Sequence, residues 1–300
     1  MTEHNDNPLV TIIIPTYNYA LYLGKALRSC ISQSHSNLEI IVVDDGSTDN
    51  TREVVQGFHD DRTRYHYQEN RGVSAARNRG LELARGKFIA FLDADEYLTD
   101  DSIETRLAVM LRERDIHFVL TAAYSVDDKG TLSFRDDGFN KDIVSDRLCE
   151  KFLLKRLPYT TSAVLVRADQ AKRFEFPGSL DNGEDIVYFS KVFFEIKGCF
   201  LAKPTAVSFS HSDSLRHNLD NLKDHGMGLV EAIFDDPYFQ GQLDHIRRRF
   251  IADRCFELFR RFFRSEEKTL ARKYYRQAVS IQPWRVLKLD YLVKYFRTYG

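Results

Sequence analysis

The chain is poor in cysteine. Its 300 residues include only Cys30, Cys149, Cys199 and Cys255, far apart and with no CxxC pair. That spacing argues against a zinc site and a disulfide scaffold, and it suits a reducing compartment. Long apolar runs are missing too: none approaches the roughly 20 residues needed to span a bilayer. The start, MTEHNDNPLV, has neither a basic n-region nor a long apolar h-region. The expectation is a cytoplasmic protein. We find no low-complexity segment and no clear repeat. What is present is a globular composition, 43% hydrophobic and 29% charged. That suffices for one large α/β domain with an appendage, or for two small domains.

Charge is unevenly placed. Residues 246–300 hold 15 Lys and Arg against 5 Asp and Glu, in a chain of formal net charge −1. Such asymmetry points to a tail that meets an anionic surface.

Strand and helix signals alternate over the first hundred residues. The runs 10–14 (VTIII), 38–43 (LEIIVV), 64–67 and 87–92 read as strands. Apolar residues recur at helical spacing at Leu23, Ala26, Leu27 and Ile31, and again at Val54, Val55 and Phe58, where Asp49 can cap the helix. A third helix runs from a Ser74 cap to Ala84, with Gly86 stopping it. This alternation predicts a mainly parallel sheet with helices on both faces. Beyond it, 102–114 and 145–157 read as helices, 117–126 as extended, 127–130 as a hairpin turn, and 163–166 as a short strand. Then 185–195 reads as a helix and 200–209 as extended. From about 215 to the end the pattern is helical.

Three polar clusters follow predicted strands. They are Pro15-Thr16-Tyr17-Asn18, Asp44-Asp45-Gly46-Ser47 and Asp93-Ala94-Asp95, the last with Glu96 behind it. One acidic pair after a strand is most simply a turn or a cap. Parallel strands would bring all three clusters to the sheet edge where ligands of such folds sit. Carboxylates tolerate one another beside a divalent cation, and Mn²⁺ or Mg²⁺ takes one or two of them together with substrate phosphates.

At this point the sequence resembles a family. VTIIIPTYNYALYLGKALRSCISQSHSNLEIIVVDDGSTDNT, followed by RGVSAARNRGLELARGKFIAFLDADEYL, is similar to the family 2 glycosyltransferases of GT-A fold, almost without a gap over residues 9–98. The resemblance implies a catalytic domain over 1–215, with a nucleotide-sugar half at about 9–98 and an acceptor half at about 99–215. It leaves 216–300 as a helical, basic extension.

The same resemblance implies site roles. Pro15, Thr16 and Tyr17 lie on the nucleotide side, with the Tyr17 ring against the base. Asp45 accepts a hydrogen bond from the base, usually uracil. Arg77 lies near the diphosphate, Asp93 contacts the ribose or sugar, and Asp95 holds Mn²⁺ or Mg²⁺. Gly183-Glu184-Asp185 is similar to the segment whose Asp is the catalytic base, and His211 matches a third metal ligand of some relatives. The implied activity is inverting transfer from a nucleotide sugar to a glycan or lipid-linked acceptor in surface polysaccharide synthesis.

Two other classes compete. A nucleotidyltransferase would usually carry a glycine-rich phosphate loop after its first strand, and PTYNYALYL has none. A non-catalytic sugar-nucleotide sensor would lack the base or the metal ligands, whereas Asp93, Asp95 and Asp185 are all present. In the tail, FELFRRFFRSEEK interleaves phenylalanines with arginines. It suits either a helix packed on the catalytic domain or a peripheral contact with an anionic membrane. It carries no nucleic-acid motif, and none of that class of partner is expected.

Overall fold

A computed structural model describes residues 7–126, 131–134, 141–180, 182–209, 222–223, 226–284 and 289–299. The chain divides into two compact units. One is Met1–Ser179 with Glu184–Ser214, and the other is Leu180–Gly183 with Leu215–Gly300.

The first unit is built on a mixed sheet. Its strands β1 (Val10–Thr16) and β2 (Leu38–Asp44) are buried at every residue, which is why both read as near-continuous apolar runs. Strand β1 pairs in parallel with β2 and with β4 (Phe88–Phe91), and β2 pairs in parallel with β3 (Thr63–Tyr67). The intervening helices are α1 (Ala20–Ile31), α2 (Thr51–Gln56) and α3 (Val73–Leu83). Thr16 lies opposite Asp44, and Ile13 opposite Phe91. The chain therefore leaves β1, β2 and β4 at one edge.

The second half supplies β5 (Tyr97–Leu98), α4 (Ser102–Arg112), β6 (Phe118–Val126), β7 (Leu132–Phe134), β8 (Ile143–Ser145) and α5 (Leu148–Leu153). It continues with β9 (Val164–Arg167), α6 (Ala168–Ala171), α7 (Glu184–Phe193) and β10 (Gly198–Phe209). The strand order is β3-β2-β1-β4-β9-β6-β10-β5, with β7 on β6 and β8 on β10. Strand β9 runs antiparallel to both β4 and β6, while β10 is parallel to β6. The parallel arrangement thus holds through β4, and β9 makes the sheet mixed beyond it.

Two local expectations change. The helix predicted over 145–157 is only Leu148–Leu153, because Lys155 turns to φ 51° and Pro158 follows. Ser74 does not cap α3; its hydroxyl donates to the Pro177 carbonyl at 2.8 Å, so a tertiary contact replaces the local one. The predicted turn at 127–130 lies outside the described residues, although Val126 and Leu132 on either side of it pair antiparallel.

Behind the sheet edge sits a fully buried cation. Arg106 donates to the carbonyls of Ser102, Ser162 and Val164 and to the Ser102 hydroxyl, at 2.7–3.2 Å. Burial pushes its pKa down to about 9. These bonds fix the short turn at Thr161–Ala163 that leads into β9.

The second unit contains α8 (Gly228–Phe234), α9 (Asp244–Arg264), α10 (Lys268–Ile281) and α11 (Leu289–Arg297). The phenylalanine stripe of α9 is its core. Phe256, Leu258, Phe259 and Phe262 are buried against Ala271, Tyr274, Tyr275 and Ala278 of α10. Tyr291 and Tyr295 of α11 close over this cluster, with Tyr295 stacked on Tyr275 at 4.2 Å. The arginines of the stripe are not uniformly solvated: Arg254 is buried, donates to the Gly226 carbonyl and pairs with Glu257. Among the described residues no helix is long and apolar enough to cross a membrane.

Helix α3 approaches β1 so closely at Gly80 that a Cβ there would lie 2.2 Å from Ile13 Cγ2. Overpacking of this kind costs about 1–3 kcal/mol. Gly80→Ala should lose that much in urea unfolding, and an unchanged midpoint would show that α3 can move away from β1.

Candidate active site

Each strand exit presents a different chemistry. At the end of β1, Pro15 and Thr16 are buried while Tyr17 is 45% exposed. The Asp45 amide donates to the Thr16 carbonyl at 2.8 Å, so the exits of β1 and β2 are directly joined. Asp44 is occupied structurally, accepting from the Ser47 amide at 2.8 Å and the Tyr65 hydroxyl at 2.5 Å. Asp45 accepts from Gln68 Nε2 and the Gly72 amide, both at 2.7 Å, and from the Arg71 amide. The turn between these groups needs Gly46. Its φ is 87°, and a Cβ would stand 2.8 Å from the Asn70 amide nitrogen.

At the end of β4, Asp93 donates its amide to Ser162 Oγ at 3.2 Å, and its carboxylate accepts from Arg77 Nη2 at 2.9 Å. The other side of that guanidinium donates from Nη1 to Glu184 at 2.8 Å, at the start of α7. Arg77 is buried, with the Phe176 ring 5.2 Å from its Cζ. Burial opposes its charge, but Asp93, Glu184 and Asp185 outweigh that and hold it well above the ordinary arginine range. Asp185 is adjacent to Glu184. Burial, then the Glu184 charge, push its carboxyl up to about 6 against the pull of Arg77. Burial, then the Asp185 charge, raise the Tyr159 hydroxyl well above the ordinary range, so it stays protonated; it lies 3.2 Å from Thr161 Oγ1.

The structure therefore brings Arg77, Asp93 and Asp185 into one charge cluster, and joins Thr16 to Asp45 on the neighbouring strand ends. Asp95 is half-buried two residues beyond Asp93. His211 lies outside the described residues. Residues 159–162 and the ion-pairing role of Glu184 were not legible: 159–162 lack periodicity, and Glu184 reads as a helix-start acid.

Glu96 resolves the crowding of carboxylates after β4. It is 4% exposed and accepts from Thr160 Oγ1 at 3.0 and 3.2 Å. Burial, then the charges of Asp93 and Asp95, push its carboxyl up to about 8, so it is neutral at pH 7.

Among the described residues no group of three or more His, Cys, Asp and Glu side chains is arranged to hold a metal. Asp93 and Asp95 are two oxygen donors, with one Asp93 oxygen on Arg77. That set fits a hard divalent cation that completes its shell with substrate phosphate oxygens, rather than a site made by protein alone.

A mixed sheet carrying these groups where its parallel strands end is that of a GT-A glycosyltransferase. The family model described as Glycosyl transferase family 2 matches residues 11–169, and the chain belongs to that family. An uncharacterized glycosyltransferase of Haemophilus influenzae is 35% identical over 208 residues, 67% of this chain and 78% of that protein. S. aureus TarS 1–349 in complex with UDP-GlcNAc has the same fold, with a TM-score of 0.62 at 18% identity over 96% of this chain and 79% of that one. The mannosyltransferase PcManGT of Pyrobaculum calidifontis, in complex with GDP-Man and Mn²⁺, gives 0.63 at 17% identity over 98% and 84%.

A carboxyl whose folded pKa is raised binds its proton more tightly in the native state. The stability that Glu96 contributes is complete below the unfolded value near 4.5 and is lost as pH rises through about 8. In EDTA, wild-type unfolding free energy should fall across that window. Glu96→Gln should flatten the fall and be the more stable protein at pH 9. Parallel pH profiles for the two would show that Glu96 is ionised throughout.

Proposed function

We propose that this glycosyltransferase moves a sugar from a nucleoside diphosphate sugar, a UDP-sugar, to a hydroxyl of a glycan or lipid-linked acceptor in surface polysaccharide synthesis, with inversion at the anomeric carbon. The observation that carries the reading is Asp185. It is a half-buried carboxyl with a pKa of about 6, next to the Glu184 that pairs with Arg77, at the edge where β1, β2 and β4 end. A group of that pKa is ionised at neutral pH yet still a useful proton acceptor. The nucleotide-sugar complexes of TarS and PcManGT support the donor class.

In this reading residues 9–98 hold the donor and residues 99–215 the acceptor. Tyr17 offers its exposed ring to the base. Asp45, already held by its three donors, has lone-pair capacity left to accept from the base. Asp93 faces the sugar or ribose. Asp95, with the second oxygen of Asp93, would hold Mn²⁺ or Mg²⁺, whose charge would offset that on the departing diphosphate. Arg77 is engaged on both sides, so its task is to fix Asp93 and the start of α7. The acceptor hydroxyl gives its proton to Asp185 as its oxygen bonds to the anomeric carbon. The bond from that carbon to the diphosphate oxygen breaks on the opposite face, and UDP leaves with the electron pair. A single displacement of this kind inverts the centre.

Asp185→Asn should leave UDP affinity nearly unchanged and lower transfer by roughly 10²–10⁴-fold, the usual worth of a general base. Wild-type kcat/KM should rise with pH through about 6 and then level. Near-wild-type transfer by the variant would move the base elsewhere.

We assign peripheral membrane contact to α11 rather than to the 256–263 stripe, which is the core of its own unit. Val293 and Phe296 lie on the outer face of α11 with Arg297, and Trp284 just before it is also exposed. Exposed aromatic and basic groups on one short helix suit an anionic interface. Val293→Ser with Phe296→Ser should lower binding to phosphatidylserine vesicles severalfold, and wild-type binding should weaken with salt. Equal binding by both proteins would remove the membrane contact.

A further inference from the structure

Tyr17 raises a question of orientation. Among the described residues its side chain has no hydrogen-bond, ion-pair or ring partner, and nearly half of it is exposed. Whatever aims that ring must act through the backbone of the loop between β1 and α1. The loop is bound to the neighbouring loop, between β2 and α2, by a reciprocal set of bonds. Asn18 Oδ1 accepts from the amides of Thr48 at 2.7 Å and Asp49 at 3.4 Å, and from Thr48 Oγ1 at 3.3 Å. In return the Asn18 amide donates to Ser47 Oγ at 2.9 Å, and the Ala20 amide to Asp49 Oδ2 at 3.1 Å. The other Asp49 oxygen accepts from the Thr51 amide and hydroxyl, at 3.1 and 2.6 Å.

Each loop thus satisfies amides of the other. Asn18 achieves this at φ 54°, in the left-handed region that Asn tolerates better than most residues but that still costs free energy. The clasp begins one residue after Tyr17 and two residues after Asp45. It ties together the two loops to which the proposed donor site assigns the base.

We propose that Asn18 and Asp49 are positioning residues for the nucleotide, acting through the loops that carry Tyr17 and Asp45. This rests on the donor-site reading given above. The bonds are mostly exposed, and exposed hydrogen bonds add little to global stability because water competes for the same groups. Their effect is to raise the fraction of molecules in which both loops are binding-competent, and apparent affinity scales with that fraction.

The test uses the full chain, UDP and GDP each with Mn²⁺, and calorimetric affinity for whichever nucleotide the wild type binds more tightly. Asn18→Gly keeps the backbone conformation accessible and removes only the side-chain acceptor. Asn18→Asp keeps the acceptor and tolerates the same φ. Asn18→Gly and Asp49→Ala should each weaken binding by about tenfold, as a tenfold drop in competent fraction would. Asn18→Asp should bind near wild type, and the urea midpoints of both Asn18 variants should stay close to wild type.

Wild-type affinity in Asn18→Gly would overturn the clasp. So would a loss in Asn18→Gly that Asn18→Asp fails to rescue, or one that tracks a fallen urea midpoint. Tyr17→Ala separates the two levels of the argument. If it weakens binding while Asn18→Gly does not, the clasp alone fails. If it binds as wild type, or if wild type binds neither nucleotide, the donor-site reading fails with it.

Discussion

The site depends on one buried guanidinium. Arg77 is 5% exposed on its side chain, and a charge so placed costs several kcal/mol unless it is paired. Its two partners come from distant parts of the chain: Asp93 follows β4, and Glu184 opens α7. A single side chain from α3 therefore fixes the strand-end carboxylate relative to the segment that carries Asp185. Phe176 lies against the guanidinium and stacks on Tyr188 at 3.8 Å, so the same contact is braced by the core of α7. Removing Arg77 would take from Asp93 and Glu184 the cation that pairs with both.

The remaining negative charge is handled by burial rather than by pairing. Glu96 is pushed so far into its pocket that it keeps its proton at neutral pH. Desolvation and the neighbouring Glu184 charge raise the half-buried Asp185 carboxyl to about 6. The Thr160 hydroxyl that donates to Glu96 and the Tyr159 hydroxyl near Asp185 come from one short segment that Arg106 and Ser162 hold beside the end of β4. Among the carboxyls around Arg77, Glu96 is thus kept neutral, Asp185 is poised, and Asp93 and Glu184 are tied to the arginine. Which state each takes follows from depth and from the placement of a single cation.

Much of the first half was legible because its strands are buried on both faces. VTIII and LEIIVV are apolar except at Thr11 and Glu39, so their position and the polar clusters after them could be read directly. Helix α1 was legible for the same reason, through the spacing of Leu23, Ala26 and Leu27. Elements decided by distant contacts were not. The hydroxyl of Ser74 goes to Pro177 across 103 residues, and α5 stops where Lys155 turns left-handed. The phenylalanines of α9 suited either a packed helix or a membrane-facing one, and the helix at 268–281 that covers them could not be read from their own spacing. The acidic residues of the site could be named from spacing and family resemblance. That Glu184 pairs with Arg77 and that Glu96 is neutral depends on burial, which no local pattern encodes.

The most direct measurement of the central claim is a crystal structure of the full chain with UDP and Mn²⁺. The account predicts the base against Tyr17 and Asp45, the diphosphate beside Asp93 and Asp95, and Arg77 still between Asp93 and Glu184. UDP bound away from the ends of β1, β2 and β4, or bound there with Asp185 on the far side of the protein from the sugar position, would contradict it.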